Sequence, residues 1–145
     1  MALPTKLTLE IVTPDRALVR EEVDEVVVPG SQGEFGVLPG HTPLLSTLKV
    51  GELWYRQGQE KHYMAIAFGF VEVLPDRVTV LAQVGERAQE IDVQRAERAK
   101  LRAEQRLAQA QSQLTQIDFD IERARIALMK SLLRLQVASR ARTRV

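Results

Sequence analysis

The chain has two histidines, His41 and His62, and no cysteine among its 145 residues. That excludes disulfides, thiolate metal sites and cysteine nucleophiles. A zinc site would have to be built mostly from carboxylates, and no clustered set is visible, so no metal is expected. His41 lies in the turn sequence Pro39-Gly40-His41-Thr42-Pro43, with no serine and aspartate grouped beside it for nucleophilic catalysis. His62 lies in an alternating, strand-like stretch. Both read as surface or turn histidines. The carboxylates Glu21-Glu22 and Asp24-Glu25 read as a solvated edge ahead of a strand. Gly30-Ser31-Gln32-Gly33-Glu34-Phe35-Gly36 has the glycines of a phosphate loop. It lacks the Gly-Lys-Ser/Thr ending that supplies the phosphate-binding amine and the metal-binding hydroxyl. A strand-like Val37-Leu38-Pro39 follows in place of a helix, so the stretch reads as a glycine-rich turn. No catalytic residue is assigned.

One further set of residues could act on a partner. The last 23 residues hold Arg123, Arg125, Lys130, Arg134, Arg140, Arg142 and Arg144, and no acid. Three readings compete: a solvated helix face with cations near its C-terminus, a contact to an acidic protein, and nucleic acid. Against the last, the segment has no aromatic residue to stack on bases, and the whole chain is only +1.

The elements that must position these residues divide in two. All eight glycines, all six prolines and six of the seven aromatics lie in residues 1–85. Charge divides at the same place: 7 basic against 11 acidic residues in 1–85, and 13 against 8 in 86–145. The first part reads as short strands broken by turns. Leu7, Leu9 and Ile11 share one face of an alternating run. Val26-Val27-Val28 stops at Pro29-Gly30. Leu53–Arg56 and His62–Ile66 flank a turn around Gly58, and Val78–Val84 closes the series. Such spacing predicts an antiparallel sandwich or barrel. The second part is rich in Ala, Gln, Arg, Glu and Leu, all good helix formers. An apolar seam runs through Ala96, Ala103, Leu107, Ala110, Leu114, Ile117, Ile121, Ala124, Leu128, Leu132 and Leu135 with heptad-like steps of three and four. Asp92 reads as the N-cap. The segment could be one long helix or two folded back as a hairpin. A seam this rich in alanine buries little per residue, so a hairpin would be weakly held and suited to switching. No apolar run reaches the roughly 20 residues of a membrane span, and MALPTKLTLE has no secretory signal. The chain is expected to stay where it is made.

The stretch Gly33-Glu34-Phe35-Gly36-Val37-Leu38-Pro39-Gly40-His41-Thr42-Pro43-Leu44-Leu45 closely resembles the signature of the epsilon subunit family of bacterial F-type ATP synthases. Val12-Thr13-Pro14-Asp15, Gly69–Val73 with Val78–Ala82, and Glu86-Arg87-Ala88 with Ile91–Ala96 resemble the same family in order and spacing. The resemblance spans residues from about 6 to 137. It implies a ten-stranded antiparallel β-sandwich over residues 1–85 and an α-helical hairpin over 86–145, turning near 113–119. It implies a non-catalytic place in the rotor beside the gamma subunit, on the ring of c subunits and below the alpha/beta catalytic head. The membrane would be met only through the complex, at the cytoplasmic face of a bacterial plasma membrane, and no nucleic acid is expected.

The resemblance also assigns residues. Glu34 matches the position that meets the c ring, and His41 is the candidate facing gamma. In the family's extended state, basic residues of the second helix face an acidic segment of the catalytic subunits. Arg123, Arg125, Lys130 and Arg134 stand at those positions. Ile91-Asp92-x-x-Arg95-Ala96 resembles the pattern of family members that bind ATP on the folded hairpin. By position the set is Glu86, Ile91, Asp92, Arg95, Ala96 and Arg102, with Lys130 and Arg134 from the second helix. Lys130 departs from the family's arginine: it keeps the charge and loses the planar fork. The cap-and-ion-pair reading of Asp92 and Arg95 stands beside this one. ATP would be a regulatory ligand needing no magnesium, and no cofactor is required. The readings that compete with a rotor subunit are a free-standing nucleotide sensor or coiled-coil adaptor, and a nucleic-acid-binding tail.

Overall fold

The computed structural model describes residues 3–112 and 118–142. They form two compact units that divide between Ala88 and Gln89. The division falls three residues beyond Gly85 because the last strand continues to Arg87, pairing Gly85, Glu86 and Arg87 with Ile66, Ala65 and Met64.

The first unit holds seven strands: β1 (Leu7–Val12), β2 (Ala17–Val23), β3 (Glu25–Gly30), β4 (Gly33–Val37), β5 (Leu44–Gln57), β6 (Glu60–Leu74) and β7 (Arg77–Arg87). They hydrogen-bond in the order β2-β1-β7-β6-β5-β3-β4. Only β1 and β7 run parallel. The resemblance implies ten strands, and the hydrogen bonding shows seven. The reason is a bend inside the long central strands. Inward-facing residues of β5 change parity from Leu48 to Leu53 and Tyr55, and those of β6 change from Met64 and Ile66 to Val71 and Val73. Strict alternation cannot change parity without a break. The break sits at Phe68-Gly69, where both residues have positive φ, 60° and 124°. The ladder pairs of β6 with β5 and with β7 step from Ala67 to Gly69 and keep the same register on each side. Each long strand thus serves both layers of the sandwich while its hydrogen bonding counts it once.

Gly69 is required there by space as well as by φ. A Cβ would lie 2.0 Å from the Leu81 carbonyl oxygen and 2.9 Å from the Ala82 Cα. Between the layers lies one core, with Leu7, Leu9, Ile11, Leu53, Ile66, Val71, Val73, Val78 and Val80 fully buried.

The second unit follows a single 3₁₀ turn at Ala88–Glu90 and consists of α1 (Val93–Ser112) and α2 (Asp118–Arg142). The expected turn near 113–119 falls mostly on residues 113–117, outside the described residues; Asp118 and Phe119 already belong to α2. The two helices pack against each other. With so short a connection this is a helical hairpin. Its buried residues are mostly small: Ala96 and Ala103 on α1, and Ala124, Ser131 and Ala138 on α2, together with the fully buried Val137 on α2. The small ones on each helix recur every seven residues, so each set lines one side of its helix. Leu132, expected in the seam, is 46% exposed, and its neighbour Ser131 is buried in its place. Ser131 Oγ satisfies itself on its own helix by donating to the Ala127 carbonyl at 2.7 Å.

Candidate functional site

The residues singled out from the sequence fall at three places. The first is the glycine-rich turn between β3 and β4. It is a tight β-hairpin, with Gly30 opposite Gly33 and Pro29 opposite Glu34. Glu34 is exposed on the returning strand. No helix follows it, so the backbone cannot aim a helix N-terminus at a phosphate there. The turn after β4 carries His41, half-buried. Its Nδ1 lies 2.6 Å from the Thr42 carbonyl, and the turn is fastened to the β6–β7 connection by Gly40 N–H donating to the Pro75 carbonyl at 2.7 Å.

The second place is the far end of the long strands. Here the sequence reading needs correction, because Asp24 and Glu25 do not form a solvated edge. Asp24 accepts a short hydrogen bond from Lys6 Nζ and another from Gly58 N–H at 2.6 Å. Arg56 lies 3.8 Å from Asp24 and donates to Glu25 at 3.2 Å. The Lys6 hydrogen bond, helped by that from Gly58, holds the Asp24 carboxyl below the usual carboxylate range. His62, expected at the surface, stacks on Tyr55 with ring centroids 4.9 Å apart. Burial, reinforced by the Glu21 charge, raises the Tyr55 phenol above its ordinary pKa. The Asp24 pairings join residues 18 and more positions apart, so no local motif announces them. Their role is to tie the N-terminal segment and the β2–β3 turn to the β5–β6 turn.

The third place is the helical hairpin. Asp92 acts as the cap the sequence predicts: its Oδ1 accepts the Arg95 backbone N–H at 3.1 Å, and its carbonyl accepts the Ala96 N–H at 3.0 Å. Asp92, Arg95 and Arg102 are exposed, Lys130 and Arg134 are half-buried, and Ile91 and Ala96 are buried at 8% and 0% exposure. Glu86 lies on β7, in the other unit. Arg95 and Arg102 lie seven residues, about two turns, apart on α1 and so share one side of that helix. Arg123, Lys130 and Arg134 share one side of α2. Arg125 points away from them by roughly 140° or more around the helix, and pairs with Glu122 at 3.0 Å. The four basic positions therefore do not form one face. Among the described residues, no group of three or more potential ligands could hold a metal ion, and no helix is long and apolar enough to cross a membrane.

A β-sandwich domain followed by an α-helical one is also what the comparisons with known proteins find. Residues 6–88 match the model of the ATP synthase delta/epsilon chain β-sandwich domain. Residues 89–139 match that of the ATP synthase delta/epsilon chain long α-helix domain. The chain belongs to the delta/epsilon family of ATP synthase subunits. It is 53% identical to the ATP synthase epsilon chain of Syntrophobacter fumaroxidans over 135 residues, covering 93% of this chain and 97% of that one. The epsilon chain of Nitratidesulfovibrio vulgaris is 48% identical with the same coverage. Among solved structures, a chain of the Euglena gracilis mitochondrial ATP synthase, in an OSCP/F1/c-ring assembly, superimposes with a TM-score of 0.76 at 24% identity, covering 98% of this chain and 84% of that one. A chain of the Tetrahymena thermophila central stalk and c ring gives 0.66 at 12% identity, covering 94% and 99%. Both show the shared fold. The family boundary between residues 88 and 89 coincides with the division into two units. An epsilon chain is a stalk subunit of the complex and not a catalytic one.

Proposed function

We propose that this epsilon-type chain couples the two ends of a rotary ATP synthase and restrains its wasteful hydrolysis. The sandwich lies beside gamma on the c ring, with Glu34 toward the ring and His41 toward gamma. The helical hairpin is the switch. Packed, it permits turnover; extended toward the alpha/beta head, it places Arg123, Lys130 and Arg134 near acidic segments and stops hydrolysis. ATP stabilises the packed form through Asp92, Arg95 and Arg102 on α1 and Lys130 and Arg134 on α2, with Glu86 and the Ile91–Ala96 turn completing the set and no magnesium required. The complex sits on the cytoplasmic face of the plasma membrane. The observation that carries this reading is the seam: a hairpin whose buried helix residues are Ala96, Ala103, Ala124, Ser131 and Ala138 with one larger side chain, Val137, buries little apolar area per residue. A ligand or partner selective for one state can therefore shift it.

The test is calorimetric titration of the full chain with ATP, with and without magnesium, beside Arg95→Ala. Saturable one-to-one binding that the variant loses and magnesium does not change supports the ATP clamp. No binding up to millimolar ATP overturns it and leaves Asp92 as a helix cap alone. Migration of the chain apart from gamma and the catalytic subunits in native gels of solubilised membranes would overturn the rotor role itself.

A further inference from the structure

The β3–β4 tip that carries Glu34 is held by a bond set that its own ladder does not supply. β3 pairs with β5 from Glu25↔Arg56 to Val27↔Trp54, lapses over Val28 and Pro29, and resumes in a shifted register at Gly30↔Leu48. Pro29 has no N–H to offer. It leans on β5 at Gly51, where a Cβ would lie 2.5 Å from the proline Cβ. A hairpin attached only up to that point could swing about Pro29.

Ser31 carries the resumed register one residue further toward the tip. Its N–H donates to the Thr47 carbonyl at 2.9 Å. Its hydroxyl lies 3.2 Å from the same carbonyl and in short contact with the Thr47 hydroxyl. Ser46 Oγ adds a donor to the Thr47 carbonyl at 3.0 Å. That carbonyl has two lone pairs, so one of the three approaching donors is surplus. The crowding resolves if Ser31 O–H donates to the Thr47 hydroxyl, leaving the Thr47 carbonyl to the Ser31 N–H and the Ser46 O–H. Thr47 is set between fixed strands: it pairs with Phe70 of β6, and Phe70 pairs with Leu81 of β7. A force on Glu34 thus passes within three residues to Ser31, and from there into the central strands.

We propose that Ser31 and Thr47 are positioning residues for rotor coupling. Their paired hydroxyls lock the β3–β4 tip to β5, so that load at Glu34 moves the sandwich as a body and does not bend the tip. The inference rests on the reading that Glu34 meets the c ring.

The experiment compares four full-length variants, Ser31→Ala/Thr47→Val, Ser31→Ala alone, Thr47→Ser and Glu34→Ala, each assembled into the synthase in membrane vesicles. Two quantities are read: hydrogen exchange at the Ser31 amide in the isolated chain, and ATP-driven ion pumping per ATP hydrolysed in the vesicles. Loss of the paired hydroxyls should speed exchange at Ser31 by roughly tenfold without moving the melting temperature, because both side chains are exposed. Pumping per ATP should fall in the double variant, as it does in Glu34→Ala, and should recover in Thr47→Ser, which keeps the hydroxyl. If the double variant melts early, Ser31→Ala alone must show the same uncoupling. Pumping that stays at the parent level in both latch variants while Glu34→Ala lowers it overturns the latch and leaves the ring contact standing. Pumping unchanged in Glu34→Ala overturns the ring contact, and the latch with it.

Discussion

The small-residue seam gives the sharpest prediction, because it ties a packing distance to a regulatory state. Ala103 is 2% exposed on α1, and Ser131, buried on α2, is 3% exposed. Helices in contact through such residues pack near the lower end of the 8–10 Å range of interaxial distances. Leucine at position 103 brings three more carbons into a contact with no room for them. The helices must part by roughly 1–2 Å, which also loosens the contacts of Ala96 and Ala138. Overpacking of this kind costs about 1–3 kcal/mol, and 1.4 kcal/mol is about tenfold in an equilibrium. Ala103→Leu should therefore raise the fraction of separated helices roughly tenfold and deepen inhibition of ATP hydrolysis. Ser131→Ala is the control of opposite sign. Its hydroxyl bonds only to its own helix, and alanine is the better helix former by about 0.5 kcal/mol. That change should leave the hairpin as closed as before, or more closed by about twofold. The chain has no cysteine, so Leu101→Cys and Leu132→Cys can carry a pair of distance labels at sites already 57% and 46% exposed. Equal fractions of separated helices in the parent and Ala103→Leu would refute the seam argument. So would an equal rise in Ser131→Ala.

Other perturbations bear on single contacts. Asp92→Ala removes the cap, and should cost about 1 kcal/mol of helix stability and speed amide exchange at Arg95. Asp92→Ser keeps a capping oxygen and should restore that protection, so ATP affinity that stays low in Asp92→Ser would mark a direct contact to the ligand. Gly69→Ala places a Cβ against the Leu81 carbonyl at a φ of 124°, and should destabilise the sandwich by roughly 3 kcal/mol or more in urea unfolding; a loss under about 1 kcal/mol would contradict the bend as described. Asp24 has a lowered carboxyl pKa in the folded chain. Its stabilisation is complete above the ordinary carboxylate pKa of about 4 and is lost as the pH falls through the lower folded value. Lys6→Met should accordingly be less stable than the parent at pH 7, with the two converging in strong acid. A gap that stays constant down to pH 2 would assign the difference to packing. Tyr55 works on the alkaline side. Its raised pKa means stability held below about pH 10 and lost as the phenol ionises, a limb that Tyr55→Phe should lack.

What could be read from the sequence was what neighbours along the chain decide. Alternation put Leu7, Leu9 and Ile11 on one face, and all three are fully buried. The Asp92 cap depends on a residue three positions away. The division of the chain into a glycine- and proline-containing part and a helix-forming part needed only composition. The bend in β6 could not be read, because phenylalanine within Ala65–Val71 looks like any strand residue and gives no sign of a φ of 60°. That bend is why a count of strands from turn signals or family pattern differs from the count of hydrogen-bonded strands. The Asp24 cluster was hidden for another reason: Lys6, Gly58 and Arg56 come from separate elements. In α2, choosing the larger side chain for the seam selected Leu132, where close approach of the backbones selects the smaller Ser131.

That error in α2 shows how one chain can serve both as a rigid coupling and as a switch. A helix that buried its leucines against α1 would gain about 0.8 kcal/mol for each methylene, and the hairpin would open only at high cost. Here Leu101, Met129 and Leu132 are each 46–57% exposed and Leu107, Leu128, Leu133 and Leu135 are half-buried, while the buried positions of the helices are four alanines, a self-satisfied serine and Val137. The packed state thus wins little apolar burial over a separated one, and the residues left exposed are available to another surface. The sandwich follows the opposite rule. Its large side chains are the fully buried ones, its long strands run through both layers, and its turns are cross-tied at Asp24, Gly40 and Ser31. Deformation of the sandwich is therefore costly and opening of the hairpin cheap. A torque reaching the chain should turn the first unit as a body, while ligand and partner binding act on the second.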